Sequence, residues 1–147
     1  IPGFAAWLLG EPDFAMLPNL RRRAAADFDE AREHLRKLCG GDLAALQRAA
    51  THDKLDPESV AALLTLCSAY LLHLSPTPEG DPVARFHLDN GARLERLNAH
   101  GNLSAKGLKQ SFGIMVNYLY DLDKIEASHE KFKQGEVARS RAVHTVM

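Results

Sequence analysis

Seven histidines and two cysteines are the side chains in this sequence best suited to proton transfer, nucleophilic attack or metal ligation near neutral pH. Their spacing argues against several of these chemistries. No two histidines stand in an HExxH pattern. Cys39 and Cys67 do not form a CxxC pair, and His34, five residues before Cys39, has no companions to complete four zinc ligands. Both cysteines fall in apolar helical patterns and read as reduced core thiols. Neither GxxxxGK[ST] nor GxGxxG occurs, so a phosphate cradle of those kinds is not expected. His87 stands out by its setting, between Pro82-Val83-Ala84-Arg85-Phe86 and Leu88-Asp89-Asn90-Gly91. A short helix opened by proline and closed by Asn-Gly is a fixed platform, from which an imidazole can deliver or accept a proton. A structural histidine fits the same pattern, so the residues alone leave His87 one of seven candidates.

Two further groups carry possible chemistry. Tyr118 and Tyr120 alternate within an apolar run and share one face of a strand, either as packing or with a hydroxyl reaching into a pocket. Arg21, Arg22 and Arg23 cluster at the start of a helix, where the dipole disfavours cations. They read as a solvated face or as a contact for an anion.

The elements that must position these residues emerge from periodicity and punctuation. Phe4 to Leu9 reads as a short helix and Glu11 to Pro18 as a loop. Leu20, Ala24, Phe28, Ala31, Leu35 and Leu38 recur at helical steps, predicting an amphipathic helix over Asn19 to Leu38 that Gly40 and Gly41 stop. Asp42 caps a shorter helix through Leu43, Leu46 and Ala49, and Asp56-Pro57 opens another that runs to about Leu74. Pro76, Pro78, Gly80 and Pro82 form the strongest break in the chain. Beyond it, Asp81-Pro82 starts the His87 helix, Ala92 to Asn98 favours a strand, and Ser104 caps a helix through Leu108. Ile114 to Tyr120 reads as a buried strand, and helix returns from Asp123, interrupted near Gly135. The fold class is therefore α+β and predominantly helical. It divides into a start segment (1–18), a helical part (19–80) and a motif-bearing α+β part (81–147). Two short strands do not make a stable sheet alone, so their neighbours are expected upstream of Ile1. That fits an opening Ile-Pro-Gly-Phe, which resembles neither a natural start nor a signal peptide.

The composition is that of one globular domain, with 147 residues, 46% apolar and 25% charged. A formal net charge of -1 gives no reason to expect a nucleic-acid partner. No uninterrupted apolar run reaches the roughly 18 residues of a membrane span, since Val60 to Leu74 is broken by Ser68, Tyr70 and His73.

The run Asp81 to Ala92 (DPVARFHLDNGA) resembles the PVAxFHLxNGA signature of malonyl-CoA decarboxylases. The resemblance continues in register through Leu94 to Asn98, through Ser104 to Gly107, and through Ser111 to Tyr120 (SFGIMVNYLY). Ile1-Pro2-Gly3-Phe4 with Trp7-Leu8 resembles the family's SPIPGF-x-x-W-L. The likeness spans essentially the whole chain, strongly at both ends and more loosely across Glu11 to Gly80.

This resemblance implies a fold, a reaction and a set of partners. The fold would be the C-terminal portion of an acetyltransferase-like (GNAT) domain with a helical insertion, its sheet incomplete here. The reaction would be decarboxylation of malonyl-CoA to acetyl-CoA and carbon dioxide, with no cofactor and no metal. The catalytic pair would be His87 and a serine just before the family's SPIPGF, outside this chain. Tyr120 would line the substrate site. Asn90, also in the motif, would sit at that site while ending the helix. The partners would be malonyl-CoA and the upstream part of the same protein. A homo-oligomer is expected as well, and the reduced cysteines, the charge and the apolar run lengths point to the cytoplasm, without nucleic acid or membrane. A phosphate of coenzyme A is one candidate anion for Arg21 to Arg23. An acetyltransferase acting on an amine and a non-catalytic binding fragment remain as other readings; the FHLxNGA run argues against the first.

Overall fold

The computed structural model describes residues 1–18, 20–51 and 55–145. Among these residues eight α-helices and two strands succeed one another in the order α1 (Phe4–Leu9), α2 (Arg22–Leu38), α3 (Ala45–Thr51), α4 (Pro57–Ala69), α5 (Pro82–Asp89), β1 (Arg93–Asn98), α6 (Ala105–Ser111), β2 (Met115–Leu119), α7 (Ile125–Lys133) and α8 (Arg141–Thr145). The mostly helical α+β expectation is met, with a sheet of two antiparallel strands.

The core forms where the helical part meets the start segment. Phe4 and Leu8 of α1 are fully buried, as are Leu35 of α2 and Leu66 of α4. Aromatic rings bind these layers together: Phe4 meets Phe112 edge-on at 5.8 Å, Trp7 lies 5.2 Å from Tyr70, and Phe14 meets Phe28 at 5.8 Å. Such pairs add modestly to the burial of their area. Asp56 caps α4 as expected, accepting from the Ser59 N–H at 2.7 Å. Cys67 lies in the core and Cys39 is half-buried at the end of α2; both are free thiols.

Four expectations change. α2 begins at Arg22; a start at Asn19 lies outside the described residues. The loop before it contains a single 3₁₀ turn, Phe14–Met16, capped by Asp13. The helix from Asp56 does reach Leu74, but its last turn, Tyr70–Leu74, is a π-helix. Pro57–Leu74 is therefore one continuous helix of 18 residues with mean hydropathy 1.3, long and apolar enough by those measures to cross a membrane. Half of it is buried inside the molecule and it packs on α2, the position of a core helix. Finally, β2 is not a buried strand. Met115 and Leu119 are exposed, while Val116 and Tyr118 face the core.

The sheet shows why. β1 pairs with β2 in the register Leu94↔Tyr118 and Leu97↔Val116, with a bulge between Leu94 and Arg96. Leu94 and Leu97 are three residues apart and would lie on opposite faces of a regular strand. The extra residue at Glu95 returns both to the core face. On its other edge β1 accepts a short parallel bridge that periodicity did not reveal. Leu94 N–H donates to the Ala138 carbonyl, and Ser140 N–H donates to the Leu94 carbonyl, both at 2.9 Å.

Candidate active site

α5 is fixed at both ends by side chains its sequence supplies. Asp81, only 1% exposed, accepts from the N–H groups of Val83 and Ala84 at 3.2 and 3.1 Å, and Pro82 occupies the first turn. The other oxygen of Asp81 accepts from the Gly3 N–H at 2.9 Å, which ties the start segment to α5. Tyr70 adds a hydroxyl to the same carboxylate. At the far end Gly91 has φ +94° and the Ala92 N–H returns to the His87 carbonyl at 3.1 Å. This is the left-handed closure that Asn90-Gly91 predicts. Asn90 donates from Nδ2 to the Phe86 carbonyl at 2.6 Å, so its amide is engaged with its own helix.

This platform presents His87 to the end of β2. The imidazole stacks on Tyr118 with ring centres 4.4 Å apart and planes 22° from parallel. Its Nδ1 is hydrogen-bonded to the Tyr120 hydroxyl at 2.7 Å. The alternation of the two tyrosines thus brings both onto one histidine, a convergence across 33 residues of sequence. Nε2 of His87 has no hydrogen-bond partner among the described residues. Burial, and then the charge of Asp81, push the Tyr118 phenol above its ordinary range, so Tyr118 serves as a neutral wall. The same two causes raise Tyr70.

The site is open. Tyr120 is 39% exposed, and the neighbouring Phe86 and Val83 of α5 are exposed at 64% and 43%. Sequence reasoning missed one support of the platform. His129 of α7 bonds through Nδ1 to the Asp89 carbonyl and lies 3.6 Å from the Asp89 carboxylate. Forty residues separate them, and no local pattern announces the pair. Of the arginine cluster at the start of α2, Arg21 lines a different cavity, Arg23 is exposed, and the side chain of Arg22 lies outside the described residues.

Comparison with known proteins adds an independent observation. The family described as malonyl-CoA decarboxylase C-terminal domain matches residues 1–147. The mitochondrial malonyl-CoA decarboxylase of Rattus norvegicus is 33% identical over 135 residues, covering 84% of this chain and 26% of the relative. That of Anser anser anser is 33% identical over 130 residues, with the same coverage. Among solved structures, malonyl-CoA decarboxylase from Cupriavidus metallidurans superposes with a TM-score of 0.75 at 34% identity, over 100% of this chain and 37% of that one. The Rhodopseudomonas palustris enzyme gives 0.63 at 40% identity, over 99% and 31%. The chain thus spans about a quarter to just over a third of the relatives it matches. The match runs through the His87 platform, the tyrosine strand and the start segment alike, and the chain belongs to the malonyl-CoA decarboxylase C-terminal domain family.

Proposed function

We propose that this chain supplies the histidine half of a site that decarboxylates malonyl-CoA. The observation that carries the reading is His87, stacked on Tyr118 and bonded through Nδ1 to Tyr120, within a chain whose whole length matches the family. Loss of carbon dioxide from a malonyl thioester breaks the bond between the carboxylate carbon and C2. The electron pair stays as a thioester enolate, which needs charge stabilisation at oxygen and a proton at C2. With the Tyr120 hydroxyl donating to Nδ1, the neutral imidazole carries its proton on Nε2, the nitrogen left free for substrate. His87 gives that proton to C2 as its Nδ1 takes the proton of the Tyr120 hydroxyl, and solvent then restores the proton to Tyr120. The serine that the family resemblance places before the start segment positions the malonyl carboxylate with it. Asn90 borders the substrate only through the helix end it closes.

The acetyltransferase-like (GNAT) architecture belongs to the same proposal, with 19–80 as its helical insertion and the open edge of β2 continued by strands from the upstream part of the protein. Closing the site in this way would exclude water from a pocket that is open here, and a dry pocket favours departure of charge as neutral carbon dioxide. The substrate is malonyl-CoA and the assembly a homo-oligomer. The test is His87→Asn in the full-length protein, assayed for acetyl-CoA formed and carbon dioxide released. Turnover falls about a hundredfold or more while thermal unfolding stays unchanged. Near-normal turnover in a folded variant removes His87 from the mechanism.

A further inference from the structure

Beyond the His87 site, near the edge of β1 where Leu94 bridges to Arg139, a cavity of about 320 Å³ opens. It lies between the start of α2, the π turn and the segment joining α7 to α8. Leu20, Ala24 and Leu72 form its apolar wall; Arg21, His73, Arg139 and His144 line its polar side. An adjoining cavity of similar volume shares Arg139 and His144 and adds Lys131 and Arg141. A chain with net charge -1 therefore gathers four full cations around one recess, from separate elements. Glu136 is the one acidic side chain among the described residues lining it.

Among the described residues these cations lack carboxylate partners within ion-pair distance. Arg32, Arg36 and Arg93 are each paired with carboxylates, whereas Arg21, Lys131, Arg139 and Arg141 make no ion pair among the described residues. Arg139 spends one N–H on the nearby Val137 carbonyl at 3.3 Å. His73 adds an independent sign: its Nε2 is shielded from solvent and has no hydrogen-bond partner among the described residues. A hidden polar atom without a partner is costly, and a small turn of the ring toward the cavity would let a ligand atom satisfy it. Four cations around a recess with Glu136 as the one described carboxylate are likewise relieved by an anion. The first turn of α2, a helix of 17 residues, has no acidic residue and no side-chain cap to compete with such an anion.

We propose that this recess binds an organic phosphate. Its phosphoryl oxygens would lie on Arg21 and Arg139, and its carbon framework against Leu20, Ala24 and Leu72. Two guanidinium forks from different elements match a tetrahedral, multiply charged group better than a single carboxylate. The half-apolar wall asks for more than inorganic phosphate. The phosphate could belong to a coenzyme A thioester or to a separate phosphorylated metabolite. The site itself is read from charge and cavity, and it stands whether or not His87 performs decarboxylation.

The test is direct calorimetric titration of the full-length protein with adenosine 3′,5′-bisphosphate and with pyrophosphate. Saturable, salt-sensitive binding is expected, weakened about tenfold or more by Arg21→Gln and by Arg139→Gln, and unchanged by Lys106→Gln, which removes an exposed charge elsewhere. Displacement by acetyl-CoA would support a site for the thioester's own phosphates; persistence under saturating acetyl-CoA would support one for a separate metabolite. Absence of saturable binding, or affinities indifferent to Arg21 and Arg139, overturns the proposal.

Discussion

At the scale of single residues, His87 is governed by two contacts of different kinds. The Tyr118 stack fixes the plane of the ring, and the Tyr120 bond selects which nitrogen faces outward. Removing the hydroxyl while keeping the ring separates these roles. Tyr120→Phe in the full-length protein should lower kcat about tenfold, with KM little changed, because the tautomer is no longer set; equal kcat would mean that the bond is incidental. Asp81 acts through structure. Asp81→Ala would leave the N–H groups of Gly3, Val83 and Ala84 without their acceptor. Urea unfolding should show a loss of about 2–4 kcal/mol, and Asp81→Asn should lose less. His73 gives a pH dependence. Burial, opposed by the Pro18 carbonyl and reinforced by the charge of Arg139, lowers its pKa from 6.5. The unfolded chain therefore takes up the proton first, so the stabilising contribution is present above about pH 6.5 and fades as pH falls toward the lower folded value. His73→Phe should flatten that part of the stability profile.

At the scale of elements, the punctuation was legible and the deviations from regularity were not. Asp81-Pro82 and Asn90-Gly91 declared both ends of α5, because caps and left-handed closures depend on local residue types. The bulge at Glu95, the π turn at Tyr70–Leu74 and the parallel bridge at Leu94 are set by partners far along the chain, which no window of sequence contains. The same holds within the site. His87 and Tyr120 could be named from the family motif, whereas the stack on Tyr118 needed the packing of α5 on β2 to become visible. Gly91 shows how tightly that end of α5 is packed. A Cβ there would stand 2.5 Å from the Ile125 Cγ2 and 2.7 Å from the Ile125 carbonyl oxygen, at φ +94°. Gly91→Ala should thus cost about 2 kcal/mol or more through strain and through pushing α7 off α5. An unfolding midpoint equal to that of the parent would show that this junction yields.

At the scale of the whole molecule, the sheet is unequally protected. β1 lies between β2 and the bridge at Ala138 to Ser140, whereas the outer edge of β2 meets no described strand. Met115 and Leu119 on its open face are 43% and 39% exposed, and Leu122 just beyond it is 85% exposed. A two-stranded sheet with an open apolar face is marginal alone, and an unblunted edge invites pairing. If longer family members continue this sheet, the amides of Met115–Leu119 that point away from β1 become ladder donors. Hydrogen exchange followed by mass spectrometry should then show those amides exchanging quickly in the isolated 147-residue chain and far more slowly in the full-length protein. The isolated chain should also associate with rising concentration, and Leu119→Lys should suppress this by placing a charge beside the edge. Equally fast exchange in both forms would make β2 the true border of the sheet. The water-excluding wall for His87 would then have to come from a loop or another subunit.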